Sequence, residues 1–375
     1  MTKKLLCAGF LCAALGYAQT RDLGLAGDRF KPLKFEEMTA EQQTMVEHLL
    51  SGERKGLGGP FNVLLRSPVM GDAAQAFGAV GRFGGDYSRQ VAETVIIMAG
   101  RYWTSQYEWQ AHKAAALQAG VTAAIVDAIA AGKRPVGMPA DVEVAYNFMN
   151  ELFMTHQVSD ARFAAAKEKF GEKGIVDLLG TAGWYSLVSM SLNVDRYPLG
   201  NGAVGELKPL QNPLPEVTVA EGGGGRRFSG AGDSSAERRV FNIAAASPPI
   251  AAALRLFGVE VGRLSLSPKL REMAALLVAR QWMAEPVWQD HRVAAQAVGW
   301  SSAAVQALRD GRRPAGLQAD EAAVFDFCTE LFKTRQVSDA TFAALKAKVG
   351  ERGIVEILGA AGYYQVLSMV LAVDR

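Results

Sequence analysis

A block of this sequence occurs twice at a fixed distance. Glu151-Leu152-Phe153 recurs as Glu330-Leu331-Phe332, Gln157-Val158-Ser159-Asp160-Ala161 as Gln336-Val337-Ser338-Asp339-Ala340, and Val194-Asp195-Arg196 as Val373-Asp374-Arg375. The offset is 179 residues, and roughly 30 of the 46 positions in 151–196 are identical in 330–375. The same step joins Arg101 to Arg280, Trp103 to Trp282, Trp109 to Trp288 and His112 to His291. Nearer the start it slips to 180, where Phe61-Asn62 matches Phe241-Asn242 and Ser67-Pro68 matches Ser247-Pro248. Whatever one copy folds into, the chain must accommodate twice.

Each copy reads as helical. Thr39-Ala40-Glu41-Gln42 is a capping box ahead of Met45, Val46, Leu49 and Leu50, which share one helical face. Val91, Val95, Ile96 and Met98 mark a mostly buried helix, and Val144, Phe148 and Leu152 form a stripe at i, i+4, i+8. Ser159 and Ser338 are suited to cap the segments that follow them. Gly174-Ile175-Val176 opens a last long helix. Alternating strand patterns are scarce. The expectation is all-α, two tandem helical bundles with helices of ordinary length.

The expected organisation is a secretory signal over 1–18, a first domain over 36–200, a linker over 201–235 and a second domain with a degenerate site over 236–375. Lys3 and Lys4 precede the apolar run Leu5 to Leu15, and Gly16-Tyr17-Ala18 offers small residues before a cut. That run is too short to span a bilayer, and no later stretch reads as long and charge-free enough to do so. Pro198 stands just before the linker, which carries Pro209, Pro213, Pro215 and the run Gly222-Gly223-Gly224-Gly225 and reads as unable to bury a core. An exported, periplasmic protein is the expectation.

Of the three cysteines, Cys7 and Cys12 lie in the signal. Cys328, in an apolar helix, reads as a buried, inert thiol. No Cys-x-x-Cys pair exists. With 40 Lys+Arg against 38 Asp+Glu, a net charge of +2 offers no general attraction to nucleic acid. No glycine loop has dinucleotide or P-loop spacing.

The residues with chemical potential cluster around His112. Glu108 and His112 stand at i, i+4 on one helix, so they share a face, and Glu93 on the preceding helix can reach the same imidazole. Carboxylates beside an imidazole orient it for acid–base work. Ser105-Gln106-Tyr107-Glu108 is also a capping box, in which Glu108 would satisfy only backbone. The same three groups are also of types that ligate metals, although a single histidine is a weak pattern. Tyr102, Trp103, Tyr107 and Trp109 could line a pocket or pack a core. In the second copy Ser105 becomes Ala284 and Glu108 becomes Val287, whereas Glu272 and His291 persist. Glu272 also reads as pairing at the surface with Lys269 and Arg271. His48 and His156 have no histidine counterpart and read as surface residues.

This pattern of Glu93, Ser105-Gln106-Tyr107-Glu108-Trp109-Gln110-Ala111-His112, Gly120-Val121-Thr122 and Ile125-Val126-Asp127-Ala128-Ile129 resembles the carboxymuconolactone decarboxylase / alkylhydroperoxidase D-like superfamily. The likeness covers roughly 60–190 and 240–370. It implies an all-helical antiparallel bundle that oligomerises, the tandem chain being a covalent dimer and the assembly a trimer of such chains or similar. The peroxidase branch places its two cysteines where this chain has Ser105 and Glu108, so thiol redox chemistry is not expected. The decarboxylase branch implies His112 as proton donor, tuned by Glu108 and Glu93, with Ser105, Tyr107 and Trp109 against the substrate. It implies no cofactor and no metal, because the lactone is its own electron sink. The expected activity is a carboxy-lyase reaction on a carboxylated lactone or related enolisable acid. The alternative is an exported helical protein that binds a ligand or partner without turning it over.

Overall fold

The computed structural model describes residues 21–54, 56–210, 226–229 and 235–374. The expected signal with Cys7 and Cys12, and the run Gly222 to Gly225, lie outside them. Among the described residues the chain is all helical, with fifteen α-helices and no strand. The order is α1 (Ala40–Ser51), α2 (Phe61–Leu64), α3 (Pro68–Phe83), α4 (Arg89–Tyr102), α5 (Gln106–Gln118), α6 (Ala123–Ala130), α7 (Ala140–Thr155) and α8 (Asp160–Asp195). There follow α9 (Ala236–Ala244), α10 (Pro248–Gly262), α11 (Pro268–Gln281), α12 (Glu285–Ala297), α13 (Ser302–Arg309), α14 (Ala319–Thr334) and α15 (Asp339–Asp374). Thus α3 to α8 and α10 to α15 repeat in order.

Local sequence sets these boundaries. Thr39 and Gln42 form the reciprocal capping box, Ser159 accepts from the Arg162 N–H, and Ser338 accepts from the Thr341 N–H. Proline occupies the first turn of α3, α10, α11 and α12, where its missing N–H costs nothing. The last helix of each copy is longer than expected, 36 residues in α8 and in α15. Each is two segments joined at a glycine in the left-handed region, Gly171 at φ 67° and Gly350 at φ 68°.

The copies share one apolar core and pack about a pseudo-twofold axis. Helix α8 crosses α15 where glycines remove the side chains. A Cβ on Gly183 would sit 2.4 Å from Val366 Cγ2, and one on its equivalent Gly362 would sit 2.9 Å from Leu187 Cβ. On the axis Phe77 stacks on its equivalent Phe257, ring centroids 6.3 Å apart. Polar contacts are reciprocal too: Ser247 Oγ donates to Asp177 at 2.5 Å, and Ser67 Oγ to Glu356 at 3.4 Å.

Two features of this packing correct the sequence reading. Part of the expected linker is built into the fold: Leu207 and Phe228 are buried, and the Gln106 amide exchanges hydrogen bonds with the Leu207 backbone at 2.8 and 3.0 Å. Arg227-Phe228 repeats the role of Arg29-Phe30, a correspondence that the glycine-rich surroundings hide. Arg29 donates to Val194 O and, across the axis, to Val337 O and Asp339, lying over Phe342. Arg227 donates to Val373 O and, across the axis, to Val158 O and Asp160, lying over Phe163. Second, α8 and α15 are long and apolar enough to cross a membrane by length and composition, contrary to expectation. Their apolar windows are 100% and 94% buried inside the protein, which accounts for that composition without a bilayer.

Candidate active site

The turn between α4 and α5 is tight enough to lay one helix back on the other. Thr104 takes φ 50°, and the Ser105 N–H returns to the Gly100 carbonyl at 2.8 Å. This sets Glu93 of α4 against His112 of α5. His112 Nδ1 lies 2.7 Å from Glu93 Oε2, and Nε2 lies 3.1 Å from Glu108 Oε1. All three residues are buried, at 4–6% exposure. The Nε2 contact has ion-pair distance but not hydrogen-bond alignment, leaving Glu108 Oε1 without a hydrogen-bond partner in the protein. The capping alternative for Glu108 is thereby settled. Ser105 makes no side-chain cap, and Glu108 is spent on His112 instead.

His112 and Glu108 border a cavity of about 180 Å³, which Arg54, Arg82, Tyr107 and Tyr185 also line. Tyr185 comes from α8 and stands edge-on to the imidazole, ring centroids 4.9 Å apart. Arg82 comes from the end of α3, and Arg54 from the segment after α1. Arg54 lies over Phe61, 4.8 Å from the ring centroid, and its Nε and Nη2 are buried without a hydrogen-bond partner. Burial pulls this guanidinium down to about 10, with Arg82 opposing its charge and Glu108 supporting it. Burial pushes Glu108 above the usual carboxylate range, against the pull of His112, Arg82 and Arg54. Burial likewise raises Tyr107 and Tyr185.

Three residues on this cavity, Arg54, Glu108 and Tyr185, therefore carry buried polar atoms with no protein partner. Each such atom costs about 1–3 kcal/mol. All three residues line the same cavity, which marks it as a place for a polar ligand. The carboxylates do not converge as a metal set would, since each takes a different ring nitrogen. Among the described residues no group of three His, Cys, Asp or Glu side chains has the geometry to hold a metal ion.

Two of the expected substrate contacts fall elsewhere. Trp109 is fully buried, and its Nε1–H donates to Glu206 at 2.6 Å. Ser105 is fully buried with its Oγ unpartnered, and neither residue lines the cavity. The cause is helical geometry. Trp109 points about 100° around α5 from its neighbour Glu108, and Ser105 is the N-cap, ahead of the first helical turn and with extended backbone. Tyr107 does line the cavity, 4.2 Å from Tyr197 between ring centroids. Arg54, Arg82 and Tyr185 went unrecognised as site residues. Tyr185 alone left a signal, as a tyrosine retained in both copies (Tyr364) within an apolar helix.

Other expectations resolve simply. Glu272 pairs with His291 at 2.7 Å, whereas Lys269 pairs with Glu321 and Arg271 with the Gly262 carbonyl. His48 is exposed beside Asp72. His156 is not a surface residue. It is largely buried at the junction of the copies, 3.0 Å from the Tyr102 hydroxyl and 4.3 Å from Trp282 between ring centroids. Burial, and Arg335 nearby, lower it to about 4. It borders a cavity of about 480 Å³, whose walls hold no carboxylate–imidazole pair. Cys328 is buried, its thiol pushed up to about 12. Comparison of the chain with protein-family models, with curated proteins and with solved structures finds no match.

Proposed function

We propose that this chain is a cofactor-free acid–base enzyme of the decarboxylating kind, acting on a carboxylated lactone or related enolisable acid. The observation that carries the reading is His112 set between two buried carboxylates at the wall of a cavity that also presents Arg54 and Arg82. The arginines suit an anionic substrate, and a guanidinium with two free donors suits a carboxylate in particular.

Glu93 fixes the ring through Nδ1 and leaves Nε2 directed at Glu108 and the cavity. Breaking the bond to the departing carboxylate releases carbon dioxide, and its electron pair moves onto the carbonyl oxygen of the ring as an enolate. Arg54 and Arg82 stabilise that negative charge in a site that excludes most water. A proton on His112 Nε2, its charge balanced by the nearby Glu108, passes to carbon, and solvent restores it. Tyr107 and Tyr185 form the walls. In this reading the protein is exported, forms homo-oligomers and engages a small molecule rather than nucleic acid.

The test is carbon dioxide release from carboxymuconolactone by purified protein, with His112→Ala alongside. Release by wild type that falls at least a thousandfold in the folded variant is expected. A folded wild type that binds the lactone but releases no carbon dioxide would instead support the non-catalytic binding reading.

A further inference from the structure

The second copy was expected to be degenerate because Val287 replaces Glu108. The geometry points to the opposite: we propose that it holds a second ligand site, one for organic ammonium ions, with His291 as hydrogen-bond acceptor. Glu272 Oε2 lies 2.7 Å from His291 Nδ1, as Glu93 does from His112. Tyr364 stands edge-on to the ring at 4.5 Å, as Tyr185 does to His112. With Val287 in place of the second carboxylate, nothing clamps Nε2. A neutral imidazole held at Nδ1–H by a carboxylate presents its lone pair at Nε2.

The space before it differs in size and sign from the first site. It measures about 450 Å³ against about 180 Å³, and its walls include Glu237 and Asp290 but no Lys or Arg. Gly262 stands where the first copy has Arg82. Among nearby cations, Arg271 is engaged on the Gly262 carbonyl, Arg292 on Gln289 and Arg255 over the Phe241 ring. Glu237 accepts from the Tyr363 hydroxyl at 2.6 Å and Asp290 from the Ala236 N–H at 2.6 Å, so one oxygen of each carboxylate remains for a ligand. Val287 and Leu367 give the cavity an apolar wall. An ammonium group on an apolar body meets all three features: two carboxylates, an imidazole acceptor and an apolar surface.

Diethylpyrocarbonate, which acylates a free imidazole nitrogen, tests this on the full chain when modification is followed at each histidine by peptide mass spectrometry. His291 is expected to react at least fivefold faster than His112, both of whose ring nitrogens face carboxylates. Benzylammonium should protect His291 at least threefold, and benzoate should not. Glu237→Gln with Asp290→Asn keeps both acceptors yet removes the charge, and should abolish protection while leaving the reaction of His291 itself. The single variants, each at one wall of the cavity, should lose part of it. The proposal is overturned if His291 reacts no faster than His112, if benzylammonium fails to protect, if benzoate protects equally, or if protection survives loss of both carboxylates.

Discussion

His156 stacks on Trp282 with ring centroids 4.3 Å apart, and Arg335, its equivalent 179 residues later, lies 4.7 Å over Trp103, the equivalent of Trp282. Both residues end a helix in the left-handed conformation, His156 at φ 55° and Arg335 at φ 64°. Each copy thus closes α7 or α14 on the other copy's tryptophan, once with an imidazole and once with a guanidinium.

The imidazole makes this junction acid-sensitive. His156 is lowered from 6.5 to about 4, mainly by burial, so the unfolded chain binds more protons between those values. Stability should therefore fall as the pH drops from about 6.5 to about 4, by about 3 kcal/mol at 1.36 kcal/mol per unit. Asn tolerates a left-handed backbone and does not titrate, so His156→Asn should flatten that part of a urea-unfolding profile. An unchanged slope would place the acid sensitivity elsewhere.

Where α8 crosses α15, Gly183→Ala should cost about 1–3 kcal/mol, because its new Cβ meets Val366 at 2.4 Å. Val366→Ala should recover part of that loss. A double-mutant cycle in denaturant then gives a favourable coupling of about 0.5 kcal/mol or more. Additive costs would mean that the helices shift apart freely.

Glu108→Gln separates stability from chemistry. Burial holds the folded carboxyl above its ordinary 4.5, so the folded chain binds more protons and stability falls as the pH rises past that value. Removing the charge should raise stability at pH 7 by about 1–2 kcal/mol, with the gain vanishing near pH 4. Carbon dioxide release should fall at least a hundredfold in the same protein. A variant less stable at pH 7 than at pH 4, relative to wild type, would show that the charged form is the one the fold favours.

Arg54→Met keeps the apolar stem against Phe61 and removes the guanidinium. Turnover of an anionic lactone should drop by tenfold or more in kcat/KM, whereas competition by a neutral lactone should change little. Equal loss for both would reduce Arg54 to a packing residue.

The sequence exposed most of what lies along a single helix or repeats at a fixed step. Helical class, the caps at Thr39, Ser159 and Ser338, and the approach of Glu93 to His112 all follow from local spacing. The contacts that complete the candidate site do not. Arg54, Arg82 and Tyr185 arrive from three different elements, and neither arginine has a pattern of its own. Trp109 lies off the cavity because it sits on a different face of α5 from Glu108 and His112, and Ser105 because it caps the helix from outside its first turn. His156 misled because its partner Trp282 belongs to the other copy, 126 residues away. Arg227-Phe228 reads as linker because glycines surround it, yet its contacts mirror those of Arg29-Phe30.

Those two Arg-Phe elements decide how the chain can change over time. Arg29 and Arg227 each fasten one copy to the other, so the halves are held as a pair. In a pair of identical subunits every substitution would arrive at both positions at once. Here the partners are encoded separately, and a substitution arrives once. Glu108 can become Val287, and Arg82 can become Gly262, in one half while the other keeps its chemistry. Symmetry of the frame is preserved by the clasps, and the two pockets are released to acquire opposite charge.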